Sequence, residues 1–302
     1  MNAGTTNIRR IPVYFWAGLL ILLAGEALLL AGSSFAATWF TPIMWTGYIL
    51  VIDGLVHRLG GEAWLTRRRR EFPLLLLASV GVWLLFEVYN LRLRNWLYFG
   101  LPDHPFLRDL GYFWSFATII PGVFVTSELI RTLLLKRKTP PQVDKKRINL
   151  GPRWPWILIG FAMIVIPPAM PQAVAPYLFG FVWIGFIPLI DPINEMLGTT
   201  SLRSQIQGGE TTTLLAFLIG GMLCGFVWET WNYQALGAQG AHWIYTLPDA
   251  LRIFGWHFGK MPVLGLLGFP PFALELYIFY VCIRKLLGIE RLLPEIPVSP
   301  LT

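Results

Sequence analysis

The sequence predicts an all-α polytopic membrane protein, a bundle of about eight transmembrane helices arranged as two parallel four-helix repeats. Three observations carry that expectation. The 302-residue chain is 55% hydrophobic and only 14% charged, against roughly 25% charged in soluble domains. Several apolar runs reach about the 20 residues needed to cross a bilayer. The same residue pattern also recurs, in the same order, in the two halves of the chain. The net charge of +7 therefore matters through the loops that hold it, and no nucleic-acid partner is expected.

The first span, about residues 13–32, follows Arg9 and Arg10 and is longer than a signal-peptide core, so it reads as a retained helix. The next three are expected at about 38–56, 73–91 and 110–134, and four more at 154–171, 176–196, 213–231 and 261–283. Counting eight spans puts most basic residues on one side. Arg9 and Arg10 precede the first span, Arg58 and Arg67 to Arg70 follow the second, and Lys136, Arg137, Lys138, Lys145, Lys146 and Arg147 follow the fourth. Arg203 follows the sixth, and Arg284, Lys285 and Arg291 end the eighth. The opposite loops hold Arg92, Arg94, Arg108, Arg252 and Lys260. The positive-inside rule then places a multi-pass chain in the cell (inner) membrane with both termini cytoplasmic. The lipid bilayer is its first partner.

Residues 1–141 form the first four-span repeat, 142–152 a cytoplasmic linker and 153–302 the second repeat. Trp45, Gly47, Ile49, Ile52 and Asp53 in the second span match Trp183, Gly185, Ile187, Ile190 and Asp191 in the sixth without a gap. Glu87 and Asn90 then match Glu229 and Asn232, and Trp96 and Tyr98 match Trp243 and Tyr245. Pro102 matches Pro248, and Glu128 is set against Glu275. Units of four spans enter the membrane the same way round, as in parallel-repeat transporters.

Six carboxylates fall in or at the ends of spans: Asp53, Glu87, Glu128, Asp191, Glu229 and Glu275. At about 3 kcal/mol each at a helix centre, six facing lipid would cost roughly 18 kcal/mol, more than typical net stability. They are expected to face the bundle interior or a polar cavity. Their depths differ. Asp53 lies about 7 Å along its helix from Arg58, Glu128 about 12 Å from Lys136, and Glu87 about 25 Å from Arg70, towards the outer side.

Glu and Asn three apart share one helix face. Asn90 and Asn232 can orient Glu87 and Glu229 for acid/base work, or can pin two helices together by hydrogen bonds. Trp228, Trp243 and Tyr245 surround the second site in sequence. Their ring faces can stabilise a cation, or they form an interfacial aromatic belt. Cys224 and Cys282 lie in apolar segments and read as small buried residues. No metal-ligand spacing, phosphate-binding loop or nucleophilic triad is present, so neither a metal nor a cofactor is expected.

Trp228-Glu229, Trp243-Ile244-Tyr245 and Pro271-Phe272-Ala273-Leu274-Glu275, followed by Phe279, resemble the motifs of the integral-membrane lycopene cyclase family of the fungal and heterodimeric bacterial type, and of related membrane terpene cyclases. The family's Trp-Asp is Trp-Glu here. Its Pro-x-Glu-Glu is reduced to a lone Glu275 after Leu274, and only Ser127-Glu128 stands in the first half. The resemblance implies a duplicated helical bundle of carotenoid biosynthesis, a lycopene cyclase-like isomerase or lyase. It further implies carboxyl groups that protonate a double bond of a membrane-dissolved isoprenoid or lipid.

Three function classes follow. In an enzyme, Glu229, Glu275, Glu87 and Glu128 are the catalytic candidates, and Asn232, Asn90, Trp228, Tyr245, Trp243, Asp191 and Asp53 line the substrate. In a proton-coupled transporter with parallel repeats, the same carboxylates form a relay. In a membrane scaffold or assembly protein, they hold helices together.

Overall fold

The computed structural model describes residues 9–136 and 148–289. Arg137, Lys138, Lys145, Lys146, Arg147 and Arg291, and the boundary expected at residues 141–142, lie outside the described residues. The chain is predominantly helical. Its first part runs α1 (Val13–Leu30), α2 (Ser34–Arg58), α3 (Phe72–Leu93), β1 (Trp96–Phe99), α4 (Pro105–Ala117) and α5 (Ile119–Lys136). Then come α6 (Arg153–Ala169), α7 (Phe179–Met196), the short α8 (Leu202–Gln207), α9 (Thr212–Gly237) and β2 (His242–Tyr245). The strands β3 (His257–Phe258) and β4 (Met261–Pro262), the short α10 (Val263–Leu267) and α11 (Phe269–Leu286) follow.

Among the described residues, seven helical segments are long and apolar enough to cross a membrane: Val13–Leu30, Ser34–Arg58, Phe72–Leu93, Pro105–Lys136, Ala175–Met196, Thr212–Gly237 and Val263–Leu286. Each coincides with an expected span. The remaining expected span, the fifth at 154–171, is α6, whose 17 residues cover about 25 Å, a few ångströms less than the roughly 30 Å hydrocarbon core. Pro167 and Pro168 lie in its last turn, where their missing N–H groups and rings prevent the helix from continuing unbroken.

Apolar side chains also cover the outside of the bundle. On α1, Val13, Leu20, Leu23 and Leu30 are exposed, and on α6 Trp154, Leu158, Ile159 and Phe161 are too. Contiguous apolar surface of this extent is foreign to a water-soluble monomer and suits a helical membrane bundle. Helices α1 and α2 pack closely because Gly18 admits the backbone of Gly47 and the side chain of Leu50. Helices α6 and α7 do the same through Gly160 and Gly185. Small residues at such crossings let backbones approach, which replaces the hydrophobic drive that lipid removes.

The core lies between α2, α3, α5, α7, α9 and α11. Phe40, Trp45, Phe86, Ile120, Phe124, Phe272, Tyr277 and Tyr280 are all buried there. Helix α11 is the central element, with Phe272 to Ile278 buried without interruption. The fourth span breaks at Thr118. There the Ser79 hydroxyl of α3 enters the helix ladder, donating to the Phe116 carbonyl at 2.5 Å and accepting from the Ile120 N–H at 2.9 Å. Pro121 removes a further donor. The sequence expectation contains only helices, whereas the structure adds two short ladders. In the larger, β1 and β2 run antiparallel, with Trp96 opposite Tyr245, Leu97 opposite Ile244 and Tyr98 opposite Trp243.

Candidate functional site

One cavity of about 410 Å³ opens between the two strands and the helices around them, within the size range of small-molecule sites. Trp45, Trp83, Trp96, Trp183, Trp228 and Trp243 all contribute to its wall, with Phe116, Phe179, Phe269 and Phe272. The rings are interlocked. Trp83 meets Trp228 and Trp96 at 5.7 Å, Trp228 meets Trp243 at 5.5 Å, and Trp183 stacks on Phe272 at 4.7 Å. The polar contributions include Tyr98, Tyr245, Tyr112, His242, Asn95 and Arg108.

Each strand is held to its helix by an asparagine. The Asn232 amide oxygen accepts from the Trp243 N–H at 3.0 Å, while its amide donates to the Trp243 carbonyl at 3.0 Å. Asn90 repeats the clamp, accepting from the Asn95 and Trp96 N–H groups at 2.8 and 3.2 Å and donating to the Trp96 carbonyl at 2.9 Å. The clamp fixes β1 and β2 so that Tyr98 and Tyr245, two residues on, point at carboxylates on α3 and α9.

Glu87 Oε1 accepts three side-chain donors: Tyr98 hydroxyl at 2.5 Å, Trp83 Nε1 at 2.8 Å and Trp96 Nε1 at 3.1 Å. Glu229 is fully buried and uses both oxygens. Its Oε2 accepts from the Tyr245 hydroxyl at 3.2 Å and from Asn232 at 3.3 Å, and its Oε1 from the backbone N–H groups of Lys260 at 2.5 Å and Met261 at 3.1 Å. Tyr245 in turn accepts from Trp243 Nε1 at 2.7 Å. Burial, and then the carboxylate beside each, pushes both phenols well above the ordinary tyrosine range. Both stay protonated at neutral pH. Tyr98 and Tyr245 belong to the cavity wall and the two carboxylates stand behind them. Trp228 and Trp243 are on the wall as well, whereas Asn90 and Asn232 act from behind it.

The other four carboxylates lie elsewhere. Asp53 accepts from the Trp64 and Leu65 N–H groups at 2.6 and 3.3 Å and from Tyr14 at 2.8 Å. Asp191 accepts from the Leu202 and Arg203 N–H groups at 2.7 and 2.8 Å. In both cases the backbone donors are 11 and 12 residues further on, so each aspartate caps the loop that follows its span. Neither lines the cavity. Glu128 pairs with Arg131 at 2.7 Å and accepts from the Glu62 N–H at 3.0 Å. Glu275 is fully buried one turn beyond Pro271 and Phe272 of the wall; Oε1 accepts from the Phe186 N–H at 3.1 Å, and Oε2 meets no hydrogen-bond partner among the described residues. Counted from their helix starts, Glu275 is six residues into α11 and Glu128 nine into α5, so the two stand at different positions in their helices.

Sequence reasoning passes over three features that the structure brings forward. Tyr98 and Tyr112 lie on the cavity wall. Glu26, inside α1, accepts from Gln234 of α9 at 3.0 Å. Glu71 is buried with Arg68, Arg284 and Tyr280 around it. Tyr98 carries a sequence signal in the repeated Trp-x-Tyr, and Glu26 another as a lone acid in an apolar run. Among the described residues, no group of three or more His, Cys, Asp or Glu side chains is placed to hold a metal ion. No family model, curated protein or solved structure matches this chain.

Proposed function

We propose that this chain is a multi-pass protein of the cell's inner membrane with both termini cytoplasmic. On this reading it is built as two parallel four-span repeats, and it acts on a membrane-dissolved isoprenoid or related lipid by acid/base cyclisation, isomerisation or hydration. The observation that carries the reading is the cavity. It is walled by aromatic rings from both halves, and a phenol backed by a carboxyl group enters that wall from each half.

The two-fold arrangement is supported by the β1–β2 register. Trp96 faces Tyr245 while Tyr98 faces Trp243, so equivalent residues exchange places, as at an isologous interface. The Asn clamps, the Asp-capped loops and the glycine crossings come in matched pairs too. Arg9 and Arg58 meet through the Arg9 N–H and the Arg58 carbonyl at 3.1 Å, which fits a common cytoplasmic side for both. The membrane terpene cyclase resemblance points to the same substrate class.

The chemistry suited to this wall begins with a proton. With the carboxyl group protonated, its O–H turns to donate to the phenol oxygen, which frees the phenol hydrogen to face the cavity; the phenol gives that proton to one carbon of a double bond and takes the carboxyl proton in its place. The double-bond pair forms the new C–H bond and leaves a cation on the neighbouring carbon, which the surrounding indole faces stabilise. In cyclisation a second double bond supplies the pair that closes the ring. Loss of a neighbouring C–H proton through the phenol to the carboxylate ends the cycle, so no oxidant or reductant is consumed. In hydration a water adds to the cation instead, and the proton it then loses returns through the phenol to the carboxylate. A proton relay across the membrane fits less well, because the hydrogen-bond partners of Glu87 share no residue with those of Asp53 or Glu128.

The test is expression in a host that accumulates linear carotenoids or prenylated lipids, with product analysis. Wild type is expected to yield a product of unchanged or one-water-heavier mass. Tyr245→Phe and Glu229→Gln are expected to lower its formation by about 10²- to 10⁴-fold, the usual worth of a general acid. Glu275→Gln asks whether the acid one turn beyond Pro271 and Phe272 shares the task. No new product from any such lipid would sink the enzymatic reading.

A further inference from the structure

The two halves differ most after their strands. Five residues, 100–104, join β1 to α4, whereas 17 residues, 246–262, join β2 to α10. The longer segment forms one side of the cavity, since Leu247, Leu251 and Met261 line it. Its far end is apolar and exposed: Phe254 is 86% and Trp256 67% accessible. Arg252, His257 and Lys260 flank that end and are exposed with it. Its base is the β3–β4 turn, and that base rests on Glu229. Glu229 Oε1 takes the Lys260 and Met261 N–H groups. Gly259, at φ +58°, lies so close that a Cβ there would come within 2.6 Å of the same oxygen. Glu87, with no such segment above it, binds only side chains.

We infer that residues 246–262 are a lid through which the cavity exchanges lipid with the bilayer. Its aromatic tip seats in the phospholipid head-group layer, and Glu229 Oε1 latches its base. The tip has the composition for that layer: aromatic rings prefer the membrane–water interface, and the flanking Arg252 and Lys260 cations meet lipid phosphates. The latch is a pair of hydrogen bonds from backbone N–H groups to one oxygen of a buried carboxyl group, shielded from water. Glu229 therefore has two separate tasks, Oε2 holding Tyr245 and Oε1 holding the lid. The inference rests on reading the cavity as a lipid site, and its test is independent of any reaction.

Hydrogen–deuterium exchange of the full chain in nanodiscs reads the latch. Gly259→Ala and Glu229→Gln are both expected to raise exchange over residues 257–262 at least about tenfold, with β1 unchanged. Gly259→Ala leaves the carboxyl group in place, so it separates the latch from acid chemistry. Exchange at the wild-type rate in both variants would overturn the latch. Tritiated geranylgeraniol then reads the gate: its entry and exit are expected to quicken together in Gly259→Ala, with affinity within about twofold of wild type. Unchanged rates would overturn the lid, and a loss of affinity alone would mark ordinary misfolding and overturn it as well. If wild type fails to bind geranylgeraniol, the lipid-site reading and the gate both fall. A spin label at position 254 is expected to collide with oxygen more than with a water-soluble nickel complex, and the reverse would overturn the head-group seat.

Discussion

At the scale of single residues, the site depends on polar side chains whose partners are backbone groups. The pattern Glu-x-x-Asn is legible in the sequence, and so is its placement on one helix face. What the sequence does not carry is the partner. Asn232 reaches the peptide groups of Trp243, 11 residues on, and Asn90 those of Trp96, six residues on. A backbone N–H or carbonyl leaves no mark in a sequence, so the asparagines read equally as orienters of the acid or as interhelical pins. In the structure Asn232 bonds both the strand and Glu229, whereas Asn90 bonds the strand region alone. Removing a buried partner costs more than the hydrogen bond itself, because the groups left behind lose their only acceptor or donor. Asn232→Ala is expected to lower stability by about 2–4 kcal/mol, two orphaned backbone groups at roughly 1–2 kcal/mol each. The check is the unfolding free energy in a denaturant series in mixed micelles. A cost under about 0.5 kcal/mol would mean that the clamp does not hold the strand.

At the scale of elements, helices were the legible part. An apolar run of about 20 residues declares itself without reference to any partner, and the eight expected spans fall on helices of the structure. Strands were not legible. Trp-x-Tyr reads as rings that stabilise a cation or as a belt of interfacial aromatics, and neither is a strand, because a four-residue strand is defined by a neighbour from the other half of the chain. The helix break at Thr118 was hidden for the same reason, since the hydroxyl that patches it belongs to α3. The end of the strand ladder depends on Gly100, which sits at φ +65° with the Gly240 carbonyl 2.1 Å from any added Cβ. Gly32 has a similar φ of +76° and nothing within 4 Å. Gly32→Ala is expected to cost only the left-handed backbone term, about 1–2 kcal/mol. Gly100→Ala adds a backbone clash to that term, and should lower the thermal midpoint in detergent at least twice as far. Equal shifts would show that the strands tolerate separation at that end.

At the scale of the whole molecule, the cavity belongs to neither half alone. Trp45, Trp83, Trp96 and Tyr98 come from the first half, and Trp183, Trp228, Trp243 and Tyr245 from the second. The halves are joined at two further depths. The β ladder ties one end. Away from it, Glu71 of the loop after α2 is bonded by Arg68 at 2.5 Å, by Arg284 of α11 at 2.8 Å and by Tyr280 at 2.7 Å, all of them nearly inaccessible. Between these ties α5 crosses α9 so closely that a Cβ on Gly220 would meet Ser127 at 2.5 Å. Separating the halves would bare the aromatic wall, break the ladder and part the buried Arg284 guanidinium from Glu71, a loss of about 3–5 kcal/mol for that pair alone. Two fragments, residues 1–141 and 142–302, expressed as separate chains in one cell should therefore find each other. A tag on one is expected to retain the other through detergent purification, and the pair to bind geranylgeraniol within about tenfold of the intact chain. Glu71→Gln in the first fragment is expected to weaken retention, since it leaves Arg68 and Arg284 facing a neutral amide. If either fragment alone binds the probe as the pair does, the shared cavity is not the binding site, and the proposed chemistry would have to be sought within one half.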